Sequence, residues 1–258
     1  MLNIQPGESG PRVALLQILL NRAGASVNVD GQFGQSMISA VTSFKKRVGL
    51  AGTTAVRPEL WWKLPLGSNT LVVDVVDVGD PKVGGGAVQN LVQAGGDPIQ
   101  LGLMCAGVEQ MVSDVIRKSN GPGTIALLRI TGHGNLGRWM TVSVGDVVDA
   151  TKTEQKILAS EDHSYVASAN FTKLSHVLAR LKPYFAPYGM MEHGGCSLGG
   201  RGDTRHLMQR MAILWDVPVS VGVGIQTSIL NFDGATFTAY PKHGTLSSWS
   251  KPFRLASY

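Results

Sequence analysis

Short apolar runs alternate with segments of helical periodicity from residue 71 to residue 223, and this alternation limits the possible folds more than any other feature of the chain. The runs at 71–78, 99–104, 124–131, 189–193 and 217–223 read as buried strands. Segments at 84–94, 108–118, 172–184 and 204–215 read as helices, and 139–144 reads as a hairpin before a poorly patterned stretch that runs through His163. Strands separated by helices of this length predict an α/β class fold, with a mainly parallel sheet covered on both faces. Ligands of such sheets bind beyond the carboxyl ends of the strands. Two chemistry-bearing side chains fall there: 124–131 delivers His133, and 189–193 delivers Cys196.

The first 65 residues follow a different period. The stretch 13–24 has apolar positions at helical spacing and stops at Gly24. Asp30-Gly-Gln-Phe-Gly34 forms a turn, Ser36 is placed to cap a second helix with Ile38, Val41, Phe44 and Val48 inside, and Pro58 opens a third with Trp61, Trp62 and Leu64 for packing. The turn-rich, uncharged stretch 64–70 separates a three-helix bundle over 1–65 from an α/β domain over 71–258.

The series Gly7-Glu-Ser-Gly10, Val13, Leu16-Gln17, Leu20, Gly24, Asp30-Gly31, Phe33-Gly34, Ala40-Val41, Phe44 and Gly49-Leu50 resembles the peptidoglycan-binding domain of bacterial and phage cell-wall enzymes. That family usually has Thr where Met37 stands and often Gln where Lys45 stands. The resemblance implies docking onto peptidoglycan and offers Asp30, Phe33 and Trp61 as peptidoglycan-binding residues. Seven Lys/Arg against three Asp/Glu in residues 1–70 place most of the net charge of +5 in this region, which suits a polyanionic partner. No dense basic run with interleaved aromatics accompanies it, so nucleic acid is not the expected partner.

A cysteine with an imidazole in reach supports nucleophilic catalysis, and glycines beside both residues let a substrate carbonyl approach the backbone. Gly134 and Cys196 are the candidate oxyanion donors. A buried cysteine and a capping histidine would give the same residue types. The order of an apolar strand ending in Thr131-Gly-His133-Gly134, a helix, and a second strand ending in Gly194-Gly-Cys196 resembles the caspase-like (clan CD) cysteine peptidases. This resemblance implies a three-layer αβα domain, strand order 2-1-3-4, Cys196 as nucleophile and His133 as general base and acid. In that order Cys105 would lie about 14 Å from Cys196 at ~4.8 Å per strand, too far for a disulfide.

Two other chemistries fit parts of the same stretch. Gly195-Cys-Ser197-Leu-Gly199 matches the G-x-S-x-G elbow of serine esterases and lipases, but that elbow needs a helix starting at the serine, whereas Asp203 reads as the cap of a helix beginning near Thr204. His133, His193 and Cys196, with His206 or Glu192, could be drawn as a zinc set, yet their spacing fits no zinc motif, and the expectation is no metal and no cofactor. Asp146 and Asp149 fall after the His133 strand, where a specificity pocket could form, while His163 and His176 read as surface residues.

Two cysteines make no disulfide framework, and no apolar run approaches the roughly 18 residues of a membrane span. The N-terminus lacks the basic-then-apolar pattern of a signal peptide. The combined expectation is a cell-wall-targeted cysteine hydrolase acting on peptide bonds in or attached to peptidoglycan. It would be made in the cytoplasm and delivered to the periplasm or wall by a non-Sec route, as an antibacterial effector or a phage lysis protein. Peptide or protein substrates, a secretion-apparatus component and an immunity protein are the partners this implies. The alternatives are an esterase using Ser197 and a non-catalytic peptidoglycan-binding structural protein.

Overall fold

The computed structural model describes residues 3–64, 70–79, 81–102, 106–134, 139–142, 165–200, 202–226 and 232–253. Cys105, Asp146, Asp149, His163, Arg201 and most of the 64–70 connection lie outside the described residues.

The N-terminal bundle consists of α1 (Pro11–Arg22), α2 (Gln35–Arg47) and α3 (Pro58–Lys63). Gln17, buried at the centre of α1, explains why its motif needs an Asp-Gly turn: its Nε2 donates to Asp30 Oδ1 (2.8 Å) and the Gln32 carbonyl (3.1 Å), and its Oε1 accepts from Gly31 N–H (2.8 Å). Gly31 adopts φ 73°, a conformation that side-chain-bearing residues rarely take. Helix α2 begins at Gln35 with Gly34 at the N-cap, so Ser36 lies inside the first turn instead of capping it. The inner face of α2 is Met37, Val41, Phe44 and Lys45. The buried Lys45 ammonium donates to the Thr53 carbonyl (2.7 Å), Thr53 Oγ1 (3.1 Å) and the Ala55 carbonyl (2.6 Å), which holds the 53–55 loop where a neutral side chain could make fewer bonds. Burial lowers the pKa of Lys45.

The rest of the chain gives β1 (Leu71–Asp77), α4 (Pro81–Gln93), β2 (Ile99–Leu101), α5 (Gly107–Lys118), β3 (Ile125–Thr131), β4 (Trp139–Thr141), β5 (Tyr165–Ala167), α6 (Phe171–Ala179), β6 (Phe185–His193), α7 (Gly202–Trp215), β7 (Val219–Gly222), β8 (Thr236–Ala239) and α8 (Leu246–Ser250). A six-stranded sheet runs β2-β1-β3-β6-β7-β8, parallel except for the edge strand β8; β4 and β5 form a separate antiparallel pair. The sheet is therefore mixed and mostly parallel, and its first strands follow the order 2-1-3 and then the Cys196 strand. The helix expected over 172–184 stops at Ala179, because Pro183 has no N–H to continue the ladder; a 3-10 turn over Lys182–Tyr184 leads into β6, which starts at Phe185 and not at 189. Helix α7 begins at Gly202, so Asp203 lies in its first turn and is not its cap.

Each sheet face has its own apolar layer. On one, Val73, Val75, Ile125, Leu128, Ile130 and Met191 pack against α5, α6 and α7; Trp215 of α7 donates its indole N–H to the Leu178 carbonyl of α6 at 2.8 Å. On the other, Val72, Val76, Leu127, Tyr188 and Met190 share a continuous cluster with Val13, Leu16 and Leu20 of α1, Leu60 and Trp61 of α3, and Leu91 of α4. The bundle thus supplies much of the second layer of the sandwich, with α1 lying over β6.

This second face also carries a buried polar row. Strand register aligns Asp74, Arg129, Glu192, Ser220 and Thr238 across β1, β3, β6, β7 and β8. Arg129 Nε donates to Asp74 Oδ1 at 2.6 Å, with the guanidinium 5.6 Å from the centre of the Trp62 ring, and the Ser220 and Thr238 hydroxyls lie 2.9 Å apart. Glu192, between these two pairs, is fully buried, and its oxygens have no hydrogen-bond partner.

Candidate active site at the sheet's carboxyl edge

His133 and Cys196 follow the carboxyl ends of β3 and β6, adjacent parallel strands in the middle of the sheet. Their loops touch through glycine. A Cβ on Gly134 would lie 2.9 Å from Cys196 N and closer still to the Cys196 carbonyl oxygen, and one on Gly195 would lie 2.7 Å from Gly134 N. Real side chains do not tolerate such spacings, so only glycine allows the His133 and Cys196 backbones to abut.

Thr141 of β4 fixes the His133 segment from the other side. His133 N–H donates to Thr141 Oγ1 at 2.8 Å, and Thr141 N–H donates to the His133 carbonyl at 2.9 Å. Cys196 is half-buried, and the Gln226 N–H points at its sulfur from 3.3 Å. The 196–199 segment is tied to the end of β7, with Ser197 N–H donating to the Gly224 carbonyl (2.7 Å) and Gly199 N–H to the Gly222 carbonyl (2.8 Å). Gln226 in turn accepts from Asp233 N–H (2.9 Å) and donates to the Gly224 carbonyl (3.0 Å). Sequence reasoning missed Thr141 and Gln226, whose only signal was proximity to loops whose pairing is tertiary.

His193 sits beneath both loops on the face covered by α5, α6 and α7. Its Nδ1 accepts from Gly195 N–H at 2.8 Å, which leaves Nε2 as the protonated nitrogen, 3.5 Å from the Thr141 carbonyl. With its ring so engaged, His193 is a loop support, and the described residues contain no group of three or more His, Cys, Asp or Glu able to hold a metal ion. Burial, with a smaller contribution from nearby His133, lowers its pKa from 6.5 to about 4, while the Thr141 carbonyl acts in the opposite direction. The unfolded chain therefore takes up a proton between pH 6.5 and 4 that the folded chain refuses, so stability present above pH 6.5 is lost as pH falls. The full loss is about 3 kcal/mol. Denaturant midpoints at pH 7 and pH 4.5 should show a larger acid destabilisation for the wild type than for His193→Gln; equal sensitivity would remove His193 from this role.

The remaining expected site residues lie elsewhere. Ser197 is buried with φ 57°, and α7 starts five residues beyond it, so no helix N-terminus stands behind the hydroxyl as an esterase elbow requires. His206 and His243 are exposed. In the bundle, Phe33 and Trp61 are 2% and 0% exposed and present no surface to a glycan, while Asp30 is occupied by the turn that Gln17 clamps. One open feature there is a groove of about 560 Å³ between the end of α1 and α2, lined by Ser26, Ser36, Ser39, Ser43, Phe44 and Arg47.

These features define a small three-helix module packed onto a mostly parallel α/β sheet. Residues 9–61 match the family described as Putative peptidoglycan binding domain, which supports the reading of the N-terminal bundle as a peptidoglycan-binding domain. No curated protein and no solved structure matches the chain. No helix among the described residues is long and apolar enough to cross a membrane.

Proposed function

We propose that the protein is a cell-wall-directed cysteine hydrolase of the caspase-like kind, with Cys196 as nucleophile and His133 as its general base and acid. The observation that carries this reading is the contact between the His133-Gly134 and Gly195-Cys196 backbones at the ends of neighbouring central strands. In the reaction His133 takes the Cys196 proton, the sulfur attacks a peptide carbonyl, and the C–N bond breaks as His133 returns the proton to the leaving amine. Water then hydrolyses the thioester and regenerates the thiol. Backbone N–H groups of Gly134 and Cys196 are the donors assigned to the oxyanion. The serine-lined groove of the bundle would hold the wall, and the packing of the bundle on the sheet would keep the cleft close to the mesh. Delivery as an antibacterial effector or phage lysis protein accords with a wall target.

Incubating the protein with purified sacculi should release fragments whose masses identify the cleaved bond. Iodoacetamide should modify Cys196 faster than it modifies an unfolded thiol at neutral pH. Slow alkylation of Cys196 together with intact sacculi would leave a wall-binding protein without this chemistry.

A further inference from the structure

On the sheet face opposite His193, a cavity of about 380 Å³ opens between the start of α1 and the β6-β7-β8 edge. Its walls include Glu8 and Arg12 from the bundle and Glu192, Ser220, Thr236 and Thr238 from the sheet. Among the described residues lining it, the charged groups are two carboxyls and one guanidinium, and Arg12 is already committed to Glu8 at 2.7 Å. The unbalanced group is Glu192, whose two oxygens have no partner although the side chain is fully buried. Leaving a buried carboxyl unsatisfied costs about 1–3 kcal/mol. An apolar residue at that place in the row would avoid the cost. Burial raises the Glu192 pKa, with Arg12 and Arg129 acting against it, so a cation placed beside the carboxyl would favour its charged form.

We propose that this cavity is a binding site for a primary ammonium group, with Glu192 as its counter-charge. An ammonium has three N–H donors and no acceptor, and the cavity wall offers the complement: the Glu192 carboxyl with two buried, unpartnered oxygens and the hydroxyls of Thr236, Thr238 and Ser220. A divalent metal fits poorly, because Glu192 is the single uncommitted carboxyl among the described lining residues. The site joins the peptidoglycan-binding bundle to the sheet, so an amine on a wall stem peptide is one source of the ligand, which rests on the wall reading; a free diamine is the other.

The test is calorimetric titration of the full chain with meso-diaminopimelate, its di-N-acetyl derivative and 1,5-diaminopentane. Diaminopimelate should bind, acetylation should abolish binding, and Glu192→Gln, nearly isosteric and still folded by circular dichroism, should weaken it at least tenfold. Thr238→Val should weaken it several-fold and serves as a second probe of the same wall. Binding of diaminopentane without diaminopimelate would support the ammonium site and assign its ligand to free diamines. Equal affinity of Glu192→Gln, retained binding of the acetylated compound, or no binding of either amine would overturn the proposal. None of these readouts involves Cys196, so a failure of the hydrolase reading and a failure of this one are seen separately.

Discussion

Replacing Cys196 with alanine is expected to lower fragment release from sacculi by about 1,000-fold or more, because losing a nucleophile removes the covalent route itself. His133→Ala should cost about 10²–10⁴-fold, the usual contribution of a positioned general base. Ser197→Ala should stay close to wild type: the Ser197 side chain is buried, and its backbone N–H is held by the Gly224 carbonyl. All three changes fall where the two loops meet the sheet edge, so circular dichroism and thermal midpoints must show retained folding before rates are compared. A Cys196→Ala protein that keeps ester hydrolysis, paired with a Ser197→Ala protein that has lost it, would transfer the chemistry to the serine.

The sequence made His133 and Cys196 visible because both end apolar runs, and the carboxyl ends of parallel strands are where α/β sheets hold ligands. It did not reveal Thr141 or Gln226, which reach the site from strand β4 and the loop after β7 through pairings that no local pattern encodes. The polar row was half legible. Asp74, Arg129 and Ser220 each sit between apolar neighbours and Glu192 follows two methionines, but their alignment depends on register, which is irregular where β3 starts against both β1 and β6. The fusion of bundle and sheet had a signal too. Ala14, Leu15, Leu16, Ile18, Leu19 and Leu20 are all fully buried, so α1 is apolar around nearly its whole circumference, and a helix of that kind is enclosed on every side. Read as one face of a free-standing bundle, the same residues concealed the second surface that α1 covers.

That covered surface gives the largest expected loss of stability. Asp74 and Arg129 are 4% and 2% exposed, joined by a 2.6 Å hydrogen bond, with Trp62 against the guanidinium. Asp74→Ala would leave a buried cation without its partner, a change that costs about 3–5 kcal/mol. For a chain of this size that corresponds to a fall in thermal midpoint of roughly 6–20 °C. Replacing both members, as in Asp74→Leu with Arg129→Met, should restore most of the loss, because the charge and its unmet desolvation disappear together. Glu192 adds a sharper expectation, since it pairs in register with Arg129 from the opposite side to Asp74. With Asp74 gone, the freed guanidinium has an unpartnered carboxyl in register beside it, and Glu192 should take over part of the pairing. Asp74→Ala combined with Glu192→Gln should therefore be less stable than the sum of the single changes, by about 0.5–3 kcal/mol in a double-mutant cycle. Strict additivity would mean that Arg129 does not swing between the two acids, and that the row holds its charges in fixed pairs.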